Sequence, residues 1–527
     1  MIRIAIVVLT LVAGVPASLA AVLISPWWSL AAVPLVLLGL LGVADLVQRR
    51  HSVLRNYPVL GHARFLLERI RPELQQYFIE RNFDGRPFDR DVRSIVYARA
   101  KGADAEEPFG TERDVYRSGY EFLVPSMAPR PVPRTPPRVR VGGPDCARPY
   151  DMALLNVSAM SFGSLSANAV LALNGGAAAG GFAHDTGEGG LSDHHLRPGG
   201  DLVWEIGTGY FGCRTRDGDF DAAEFADKAA HDHVKCVSLK LSQGAKPGIG
   251  GVLPGAKVNA EIARVRDVPE GRTVVSPPGH RVFSTPRELV RFIARMRELS
   301  GGKPAGFKLC VGSRRQFLAV CKAMLEEGTT PDFIVVDGAE GGTGAAPLEF
   351  ADHVGTPLTE GLLTVHNALV GAGLRDRIRI GASGKIATGT DLVKRMVQGA
   401  DYGNAARAMM FAVGCIQAQR CHTNTCPTGV ATQDPRRARA LDVRDKAPRV
   451  QRFQEATVAS ALQIMASMGV TDPAELRPHM LRRRVDPLTQ RSYDELYEWL
   501  EPGRLLAEPP ASWAADWKAA DPDRFTV

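Results

Sequence analysis

Residues 332–344 read DFIVVDGAEGGTG, an apolar run rich in β-branched side chains that passes directly into a glycine-rich loop. A short apolar run bounded by turn residues is typical of a strand that is covered on both faces. The same arrangement recurs through the middle of the chain. Eight such runs are predicted to be strands: residues 153–158, 182–186, 234–241, 273–276, 305–311, 332–337, 378–382 and 400–404.

Helical patterns separate most of these predicted strands, for instance over residues 221–230, 286–299, 315–327 and 391–398. Strands that alternate with helices predict a parallel sheet of the α/β class. Eight such units within about 270 residues favour a (β/α)8 TIM barrel. A doubly wound open sheet differs from that barrel in closure, which the pattern leaves open.

In such a barrel, functional groups collect where the strands end and the following loops begin. The distinctive residues of this chain lie in that position, in segments 158–163, 186–190, 240–248, 338–344 and 381–385, with Lys308 on the fifth predicted strand. Each glycine by itself is also an ordinary turn residue. Their shared position predicts one functional site at this end of the barrel.

The composition of the 527 residues is that of a folded globular protein, with 45% hydrophobic and 23% charged residues. It excludes a disordered chain, and eight cysteines are too few for a disulfide scaffold. The formal net charge of +7 is modest, and no recognition motif for nucleic acid accompanies it, so we expect no nucleic-acid partner. No Gly-x-Gly-x-x-Gly unit follows a predicted strand, which argues against a dinucleotide-binding domain.

The first 50 residues predict a transmembrane helical hairpin. No charged side chain occurs between Ile4 and Ala44, and this run is longer than the about 20 residues of one bilayer crossing. Residues 25–29 (SPWWS) break the run into predicted helices over residues 4–24 and 28–47. Arg3 before the hairpin and Arg49-Arg50-His51 after it predict that both ends and the catalytic domain are cytoplasmic. The alternative is a secretory signal that is cleaved after Ala20.

Three further regions follow the hairpin. Residues 51–140 are predicted to be helical and extended, with an amphipathic helix at residues 65–70 that Pro72 ends and a proline-rich linker at residues 125–137. Residues 141–435 hold the predicted barrel and a cysteine-containing loop. Residues 436–527 form a predicted helical C-terminal extension.

Cys415, Cys421 and Cys426 form a Cys-x5-Cys-x4-Cys motif that is followed by Pro427. Three thiolates on one loop could bind the irons of a cuboidal iron–sulfur cluster. Zinc sites usually show a closer Cys-x2-Cys pair or histidine ligands. The adjacent His422 keeps zinc open as an alternative, and three free buried thiols are a further one.

A cofactor phosphate site is predicted after the seventh strand. Gly384 and Lys385 precede a helix that begins near Thr388, and a helix N-terminus combined with glycine and a cation favours an anion. Barrels often bind a phosphate at strands seven and eight, and Arg407 after the eighth strand could pair with it bidentately. The alternative is a helix cap with a lysine that faces solvent.

Five separated segments together resemble the FMN-binding synthase domain of glutamate synthase: residues 158–166, 186–190, 243–254, 341–347 and 415–433. The resemblance spans roughly residues 145–435. The whole chain looks like a stand-alone, membrane-tethered member of the FMN-binding glutamate synthase family. The resemblance implies an FMN-containing barrel and a 3Fe-4S cluster on Cys415, Cys421 and Cys426.

The resemblance also implies roles for individual residues. Those expected to bind the FMN cofactor are Ser158, Ala159, Met160, Thr186, Gln243, Lys308, Gly341, Gly342, Gly384, Lys385 and Arg407. Those expected to face 2-oxoglutarate are Glu188, Lys240, Lys246, Arg266 and Ser276. Three cations suit a dicarboxylate, and a lysine near the flavin stabilises negative charge on the reduced ring.

The chain departs from the family pattern at four places. Val252 replaces a glutamine, Ile249 replaces an acid, Ala339-Glu340 replace a histidine–aspartate pair, and residues 404–406 (NAA) replace a glycine-rich turn. The first three changes bear on the keto-acid substrate. The last bears on phosphate contacts, which Arg407 could restore.

The resemblance implies an FMN-dependent oxidoreductase that acts on CH-NH2 donors. Electrons would pass from a separate donor, ferredoxin or an NAD(P)H-dependent reductase, through the cluster to FMN. Hydride would then reduce the imine formed from 2-oxoglutarate and ammonia, giving glutamate. Because the chain opens with the hairpin and not with a nucleophilic cysteine, we expect no glutaminase domain of its own. Two alternatives stay open: another keto acid or a quinone as substrate, and a non-catalytic electron-relay subunit of a membrane complex.

Overall fold

The computed structural model describes residues 2–103, residue 106 and residues 109–526, with side chains from residue 5 onwards in those ranges. The chain forms two compact units that divide after Arg90. Arg3, whose charge contributes to the predicted orientation of the hairpin, lies outside the described side chains.

The first unit is helical. Helices α1 (Ile2–Leu23) and α2 (Ser29–Val47) confirm the two predicted apolar helices, and a short 3-10 turn at Pro26–Trp28 joins them. They pack closely at a glycine, because a Cβ atom on Gly42 would lie only 2.7 Å from Val7 Cγ2. Both helices are long and apolar enough to cross a bilayer, a criterion that a signal sequence also meets.

A buried carboxylate fixes the end of α2. Helices α3 (Ser52–Asn56) and α4 (Gly61–Leu74) complete the unit. Asp45, on the last turn of α2, accepts hydrogen bonds from the Val59 amide at 2.9 Å and from His62 Nε2 at 3.0 Å. These bonds tie the end of α2 to the start of α4.

The prediction that Pro72 ends the amphipathic helix is wrong. Helix α4 continues through Pro72 to Leu74, and a π-helical turn (Gln75–Ile79) follows it. Because the proline lies in the last turn, it removes one hydrogen bond from a helix that the preceding turns already hold.

The second unit contains a closed barrel of eight parallel strands, which confirms the predicted (β/α)8 fold over the open sheet. The eighth strand pairs with the first and closes the ring. In chain order the barrel strands are β1 (Leu155–Val157), β2 (His184–Asp185), β3 (Leu202–Ile206), β4 (Val234–Lys240), β5 (Ala305–Leu309), β6 (Phe333–Asp337), β7 (Arg379–Ser383) and β8 (Tyr402–Ala405).

Seven of the eight predicted strands are barrel strands, and the one predicted at residues 273–276 forms a strand outside the barrel. Val274–Val275 pairs antiparallel with Val252–Leu253 in a small hairpin. The third barrel strand is β3, which is absent from the predicted set. Its run of five buried residues contains the charged Glu205, which an apolar pattern does not select.

Helices cover the barrel, and the four predicted between its strands are confirmed. Two of their starts have a capping box: Thr285 and Glu288 cap the helix that begins at Pro286, and Thr388 and Asp391 cap the helix that begins at Gly389. The helices of this region are α5 (Arg90–Lys101), α6 (Ala167–Gly180), α7 (Asp193–Leu196), α8 (Ala222–Ala229), α9 (Ala260–Arg266), α10 (Pro286–Leu299), α11 (Arg314–Glu327), α12 (Leu348–His353), α13 (Leu358–Gly371), α14 (Gly389–Val397) and α15 (Arg407–Ala412).

Apolar side chains fill the amino-terminal half of the barrel. An antiparallel pair, Val139–Val141 with Tyr150–Met152, precedes β1 and packs into this core. Gly381 leaves room for the Tyr402 ring, because a Cβ atom there would lie 2.7 Å from ring carbons. The cluster comprises Val141, Met152, Ala183, Val203, Cys236, Phe333, Val335 and Tyr402. The polar groups are therefore found at the opposite, carboxyl end of the strands.

The C-terminal region is helical, as predicted, but it also contributes two strands. Leu481–Arg484 pairs antiparallel with Glu121–Leu123 and with Gln490–Ser492 in a three-stranded sheet. Residues 124–138 form no helix or strand, which agrees with the predicted linker. The helices are α16 (Pro435–Arg439), α17 (Val443–Ser467), α18 (Tyr493–Leu496), α19 (Arg504–Ala507) and α20 (Ala511–Ala519).

Candidate functional site

A lysine–glutamate pair lies at the carboxyl end of the barrel. Lys240 is the last residue of β4, and Glu188 follows β2 in the turn at residues 186–190. The Lys240 Nζ atom lies 2.9 Å from Glu188 Oε1 and donates to Gln243 Oε1 at 3.0 Å. Burial by itself would raise the pKa of Glu188, but Lys240 and, more weakly, Arg266 and Lys246 lower it overall. Glu188 is therefore an anion at neutral pH.

Two further cations, Lys246 and Arg266, lie in the same region as Glu188. Lys246 is buried and donates from Nζ to the Gly250 carbonyl at 3.0 Å. Arg266, at the end of α9, donates to the Phe162 carbonyl at 2.8 Å, and its guanidinium lies 5.0 Å from the centre of the Phe211 ring. Burial lowers the pKa of both groups, that of Arg266 to about 10.

The structure brings together all five residues predicted to face the substrate. Ser276 is buried and donates its amide to the Gly251 carbonyl at 2.8 Å. A cavity of about 50 Å³ is lined by Glu188, Lys246, Arg266 and Ser276, and Lys240 holds Glu188 from outside the lining. Val252, one of the departures from the family pattern, lines this cavity.

Glycines bring the backbone close to Glu188. A Cβ atom on Gly207 would lie 2.7 Å from Glu188 Oε2, and one on Gly251 would lie 2.5 Å from Glu188 Oε1. Real Cβ atoms do not approach other heavy atoms so closely, so these glycines are required for the present position of the carboxylate.

A second ionic cluster lies inside the barrel. Lys308 on β5 places Nζ 3.1 Å from Glu205 Oε2 on β3, and both side chains are almost fully buried. Burial by itself would lower the pKa of Lys308, but Glu205, Asp337 and Asp185 raise it, so the ammonium stays charged. Lys308 was a predicted site residue, whereas the three acids were not. The three acids share one feature that is visible in sequence, which is an acidic residue in or directly after a buried strand.

Asp185 holds a proton more tightly than an ordinary aspartate does. Burial and the neighbouring Glu205 raise its pKa to about 8, although Lys308, the Gly187 amide and Lys240 act in the opposite direction. The Gly187 amide donates to Asp185 Oδ1 at 3.0 Å. Asp185 is thus largely neutral at pH 7.

We predict that the contribution of Asp185 to the free energy of unfolding falls as the pH rises from about 4 to about 8. In this range folded Asp185 keeps a proton that the unfolded chain, with a pKa near 3.9, has released. Stability from this group is therefore complete below the unfolded pKa and is lost up to the folded one, by at most about 1.4 kcal/mol per pH unit. Denaturant unfolding at several pH values should show that the stability of wild type relative to Asp185→Asn falls over this range.

Asp151→Asn is the control for this titration, because Asp151 is exposed and pairs only with the exposed Arg140 at 3.4 Å. Its pH profile should match that of wild type. Parallel profiles for wild type and Asp185→Asn would contradict the raised pKa.

Several residues predicted to bind FMN lie around the buried ionic cluster of Lys308, Glu205, Asp337 and Asp185. Ser158, directly after β1, has its Oγ atom 3.2 Å from that of Ser383. Thr186 is buried and accepts the Glu205 amide at 3.1 Å. Met160 and its neighbour Ala159 are half-buried, and the Met160 backbone packs against Gly187. Gln243 lies within the same group through its bond to Lys240.

The other residues predicted to bind FMN, which include the predicted phosphate ligands Gly384, Lys385 and Arg407, lie at the ends of β6, β7 and β8. Arg407 donates to the Glu340 carbonyl at 2.7 Å, and a Cβ atom on Gly342 would lie 3.0 Å from its guanidinium carbon. Gly341 adjoins Asp337 at the end of β6. Gly384 and Lys385 follow β7, both at positive φ, and Gly384 borders the Glu340 side chain. The sequence missed Glu340, whose carboxylate accepts the Leu358 amide at 2.9 Å.

The three cysteines lie on the loop after α15. Cys415 and Cys421 are half-buried and Cys426 is buried. Burial raises the pKa of Cys415 to about 12, whereas for Cys426 backbone N–H groups and Thr428 outweigh burial and lower the pKa. Cys421 and His422 line the cavity that also contains Glu188.

Among the described residues, no three histidine, cysteine or acidic side chains converge on one point in the way that a single metal ion requires. The thiolates of a cuboidal cluster bind different irons and do not need to converge. Three thiols on one loop are therefore a suitable donor set for a multi-iron cluster.

A buried lysine that the sequence did not single out adjoins the cysteine loop. Lys257 ends a 3-10 turn, and its Nζ atom donates to the Ser164 carbonyl at 3.0 Å and to the Ala431 carbonyl at 3.2 Å. It connects the loop after β1 with the end of the cysteine loop. No simple sequence signal distinguishes it from an exposed lysine.

Comparison with protein families and with individual proteins shows which family the chain resembles. The family described as a conserved region in glutamate synthase matches residues 150–471. The glutamate synthase large subunit-like protein YerD of Bacillus subtilis is 38% identical over 497 residues, which are 86% of this chain and 94% of YerD. The archaeal glutamate synthase (NADPH) of Methanocaldococcus jannaschii is 33% identical over 341 residues, 64% of each chain.

A more distant match is the ferredoxin-dependent glutamate synthase of Antithamnion sp., 36% identical over 201 residues, which are 38% of this chain and 13% of that protein. Among solved structures, a variant flavocytochrome b2 with sulfite bound has a TM-score of 0.43 at 14% identity, covering 78% of this chain and 88% of that one. A likeness of this size carries no argument about function.

Proposed function

Because the chain belongs to the glutamate synthase family, we propose that this glutamate synthase-like oxidoreductase converts 2-oxoglutarate and ammonia to glutamate with FMN and a 3Fe-4S cluster. The observation that carries the proposal is the charge around the cavity. Lys240, Lys246 and Arg266 supply three positive charges and Glu188 one negative charge. The excess of two positive charges matches a dicarboxylate.

The side chains suggest a division of labour at the substrate. Arg266 and Lys246 would bind the two carboxylates, since buried cations form strong charge-assisted hydrogen bonds. Glu188, which is ionised at neutral pH, would attract the positively charged imine nitrogen and accept a proton at a carboxylate oxygen. Lys240 would keep Glu188 in place through the 2.9 Å contact.

The barrel interior offers a suitable environment for FMN. Ser158 and Thr186 would contact the ring, and Gly384, Lys385 and Arg407 would hold the phosphate. When bound, FMN supplies hydride chemistry that no side chain can provide. Lys308, kept charged by Glu205, would stabilise negative charge on the reduced ring. Cys415, Cys421 and Cys426 would hold the cluster, which when bound carries single electrons.

The decisive experiment is glutamate formation by the full chain. Protein purified without oxygen and loaded with flavin, iron and sulfide should convert 2-oxoglutarate and ammonium to glutamate when a low-potential reductant is added. Product should be absent without 2-oxoglutarate. If no glutamate forms although flavin and iron are both bound, the substrate assignment is wrong.

A second candidate substrate is suggested by Val252, which gives the cavity an apolar wall where the family pattern has a polar one. A keto acid with a less polar side chain, or a quinone, would then replace 2-oxoglutarate. Flavin reoxidation measured against a panel of keto acids and quinones separates the two possibilities.

We predict that Gly251→Ala lowers kcat/KM for 2-oxoglutarate about 10- to 100-fold, the range expected for losing a hydrogen bond to a charged group. The new methyl group would occupy the position of Glu188 Oε1, and the flexible carboxylate would leave Lys240. The cost to folding should be small, because only a side-chain end has to move.

Gly312→Ala is the matched control for this substitution. Gly312 also follows a barrel strand, and nothing lies within 4 Å of a Cβ atom placed there. Its kinetics should equal those of wild type. Equal kinetics for Gly251→Ala would contradict the proposed role of the Glu188 position.

The relatives suggest two classes of electron donor. One relative is named for NADPH and another for ferredoxin, and we propose a separate donor of one of these types. Reduction of the bound cofactors by reduced ferredoxin, or by NADPH with a reductase, can be followed by absorbance. Glutamate formation with one donor and not the other identifies it.

We also propose that α1 and α2 anchor the protein in a membrane with the barrel in the cytoplasm. The two helices are 19 and 22 residues long within their apolar spans, which suffices for two crossings. The full chain should stay with membranes in alkaline carbonate and dissolve only in detergent. A mature N-terminus just after Ala20 would instead identify a cleaved signal.

A further inference from the structure

Lys257 is a buried cation that is bonded to backbone carbonyls. Only 2% of its surface is exposed, and both of its hydrogen bonds go to backbone carbonyls, those of Ser164 and Ala431. Among the described residues, no carboxylate forms an ion pair with it. Lys240 and Lys308 differ in this respect, because Lys240 pairs with Glu188 and Lys308 pairs with Glu205.

A buried ammonium without a counter-charge is costly, since carbonyl dipoles replace only part of the lost hydration. Burial lowers the pKa of Lys257 to about 8, Cys421 and Cys426 act in the opposite direction, and Arg266 adds to the lowering. Cys421 also lines the same cavity as Lys257, so a negative charge on the cysteine loop would balance this ammonium. Neutral thiols do not supply it, but thiolates bound to iron do.

We propose that Lys257 is the counter-ion of the cysteine site and raises the reduction potential of the iron–sulfur cluster held there. This inference rests on the proposed function, which supplies the cluster. The step concerned is a one-electron reduction of the cluster by the external donor, with no bond formed or broken. Because reduction adds one negative charge, a fixed positive charge nearby stabilises the reduced state.

The position of Lys257 relates its charge to electron uptake by the cluster. Lys257, Cys421 and Glu188 line the same cavity, so Lys257 adjoins both the cysteine loop and the substrate-binding residues. A higher cluster potential makes electron uptake from a weak donor more favourable. Lys257 is a positioning and tuning residue and does not contact the reacting atoms of the substrate.

The test is a redox titration of the full chain, loaded anaerobically with iron, sulfide and FMN and followed by electron paramagnetic resonance. Lys257→Gln keeps donors for the two carbonyls but removes the charge, and Lys257→Arg keeps the charge. The ratio of reduced to oxidised cluster at a given potential should fall at least tenfold in Lys257→Gln, a shift of about 59 mV to more negative potential. Lys257→Arg should stay close to wild type.

Lys303→Gln is the matched control. Lys303 is also buried, donates to the Ala229 and His231 carbonyls and forms no ion pair among the described residues, but it precedes β5 at the amino end of the barrel. Its substitution should leave the cluster potential unchanged. A shift as large as that of Lys257→Gln would overturn the inference.

The other possible results for the Lys257 variants also support or overturn the inference. If Lys257→Gln fails to retain the cluster while Lys257→Arg and Lys303→Gln retain it, the requirement for charge is supported. If Lys257→Gln retains the cluster with the wild-type potential, the role of Lys257 is refuted and the proposed function stands. If wild type takes up no cluster, the proposed cofactor and this role both fall.

Melting temperatures provide a second readout that a purely structural lysine would not reproduce. Without iron, Lys257→Gln should be at least as stable as wild type, because an unbalanced buried charge has been removed. With the cluster bound, the order should reverse. Lys303→Gln should change the melting temperature equally in both forms, and the same behaviour in Lys257→Gln would contradict a counter-ion role.

Discussion

Replacing Lys308 by methionine is expected to lower the free energy of unfolding by about 3–5 kcal/mol, the loss typical when one member of a buried ion pair is removed. The substitution leaves the Glu205 carboxylate inside the barrel without the ammonium that now lies 3.1 Å away. Chemical denaturation at neutral pH measures the effect. We also expect the flavin content of the purified protein to fall.

The double variant Glu205→Gln/Lys308→Met should recover most of this stability, because two neutral side chains then face each other. Lys235→Met is the control within the same barrel. Lys235 lies 3.6 Å from Asp201 in a pair that is about one-third exposed, and such pairs contribute below about 1 kcal/mol. If Lys308→Met costs no more than Lys235→Met, the internal ion pair is not a major source of stability.

Substitution of Cys421 by serine should abolish glutamate formation with a one-electron donor, down to the level of an assay without donor. Cys421 is the cysteine that shares a cavity with Glu188 and Lys246, so it marks the shortest connection between the proposed cluster and the substrate. Iron and labile sulfide per chain should fall together with activity, whereas bound FMN should remain. Metal analysis, absorbance and glutamate assays provide the three measurements.

Cys146→Ser is the control for this result. Cys146 is half-buried and interacts with the Gly302 carbonyl before β5, away from the cysteine loop. Its iron content and activity should equal those of wild type. Unchanged glutamate formation in Cys421→Ser would show that electrons reach the substrate without the cysteine loop.

The sequence predicts most barrel strands, including charged ones such as β5 with Lys308, but it misses β3. Residues 332–337 and 305–311 are largely apolar and are correctly predicted. The missed strand β3 contains Glu205, which is tolerated inside the barrel only because Lys308 reaches it from β5. That contact joins residues that are 103 positions apart, so no local pattern reveals it.

The candidate site likewise contains residues that the sequence predicts and residues that it does not. Glu188, Lys240 and the cysteines belong to motifs and are predictable, although their roles remain proposals. Lys257 has no distinguishing neighbours in sequence, and its burial arises from two loops that fold over it. The error at Pro72 has a local cause, because the sequence alone does not indicate whether a proline begins a loop or lies in the last turn of a helix.

The three-stranded sheet cannot form until late in synthesis, because it pairs an early segment of the chain with a late one. Glu121 at its first strand accepts a hydrogen bond from Tyr493, 372 residues later. On the ribosome, the strand Glu121–Leu123 therefore waits unpaired until nearly the whole polypeptide has emerged. Truncated translation products that stop before residue 481 keep this strand edge open, and such edges pair readily with other chains.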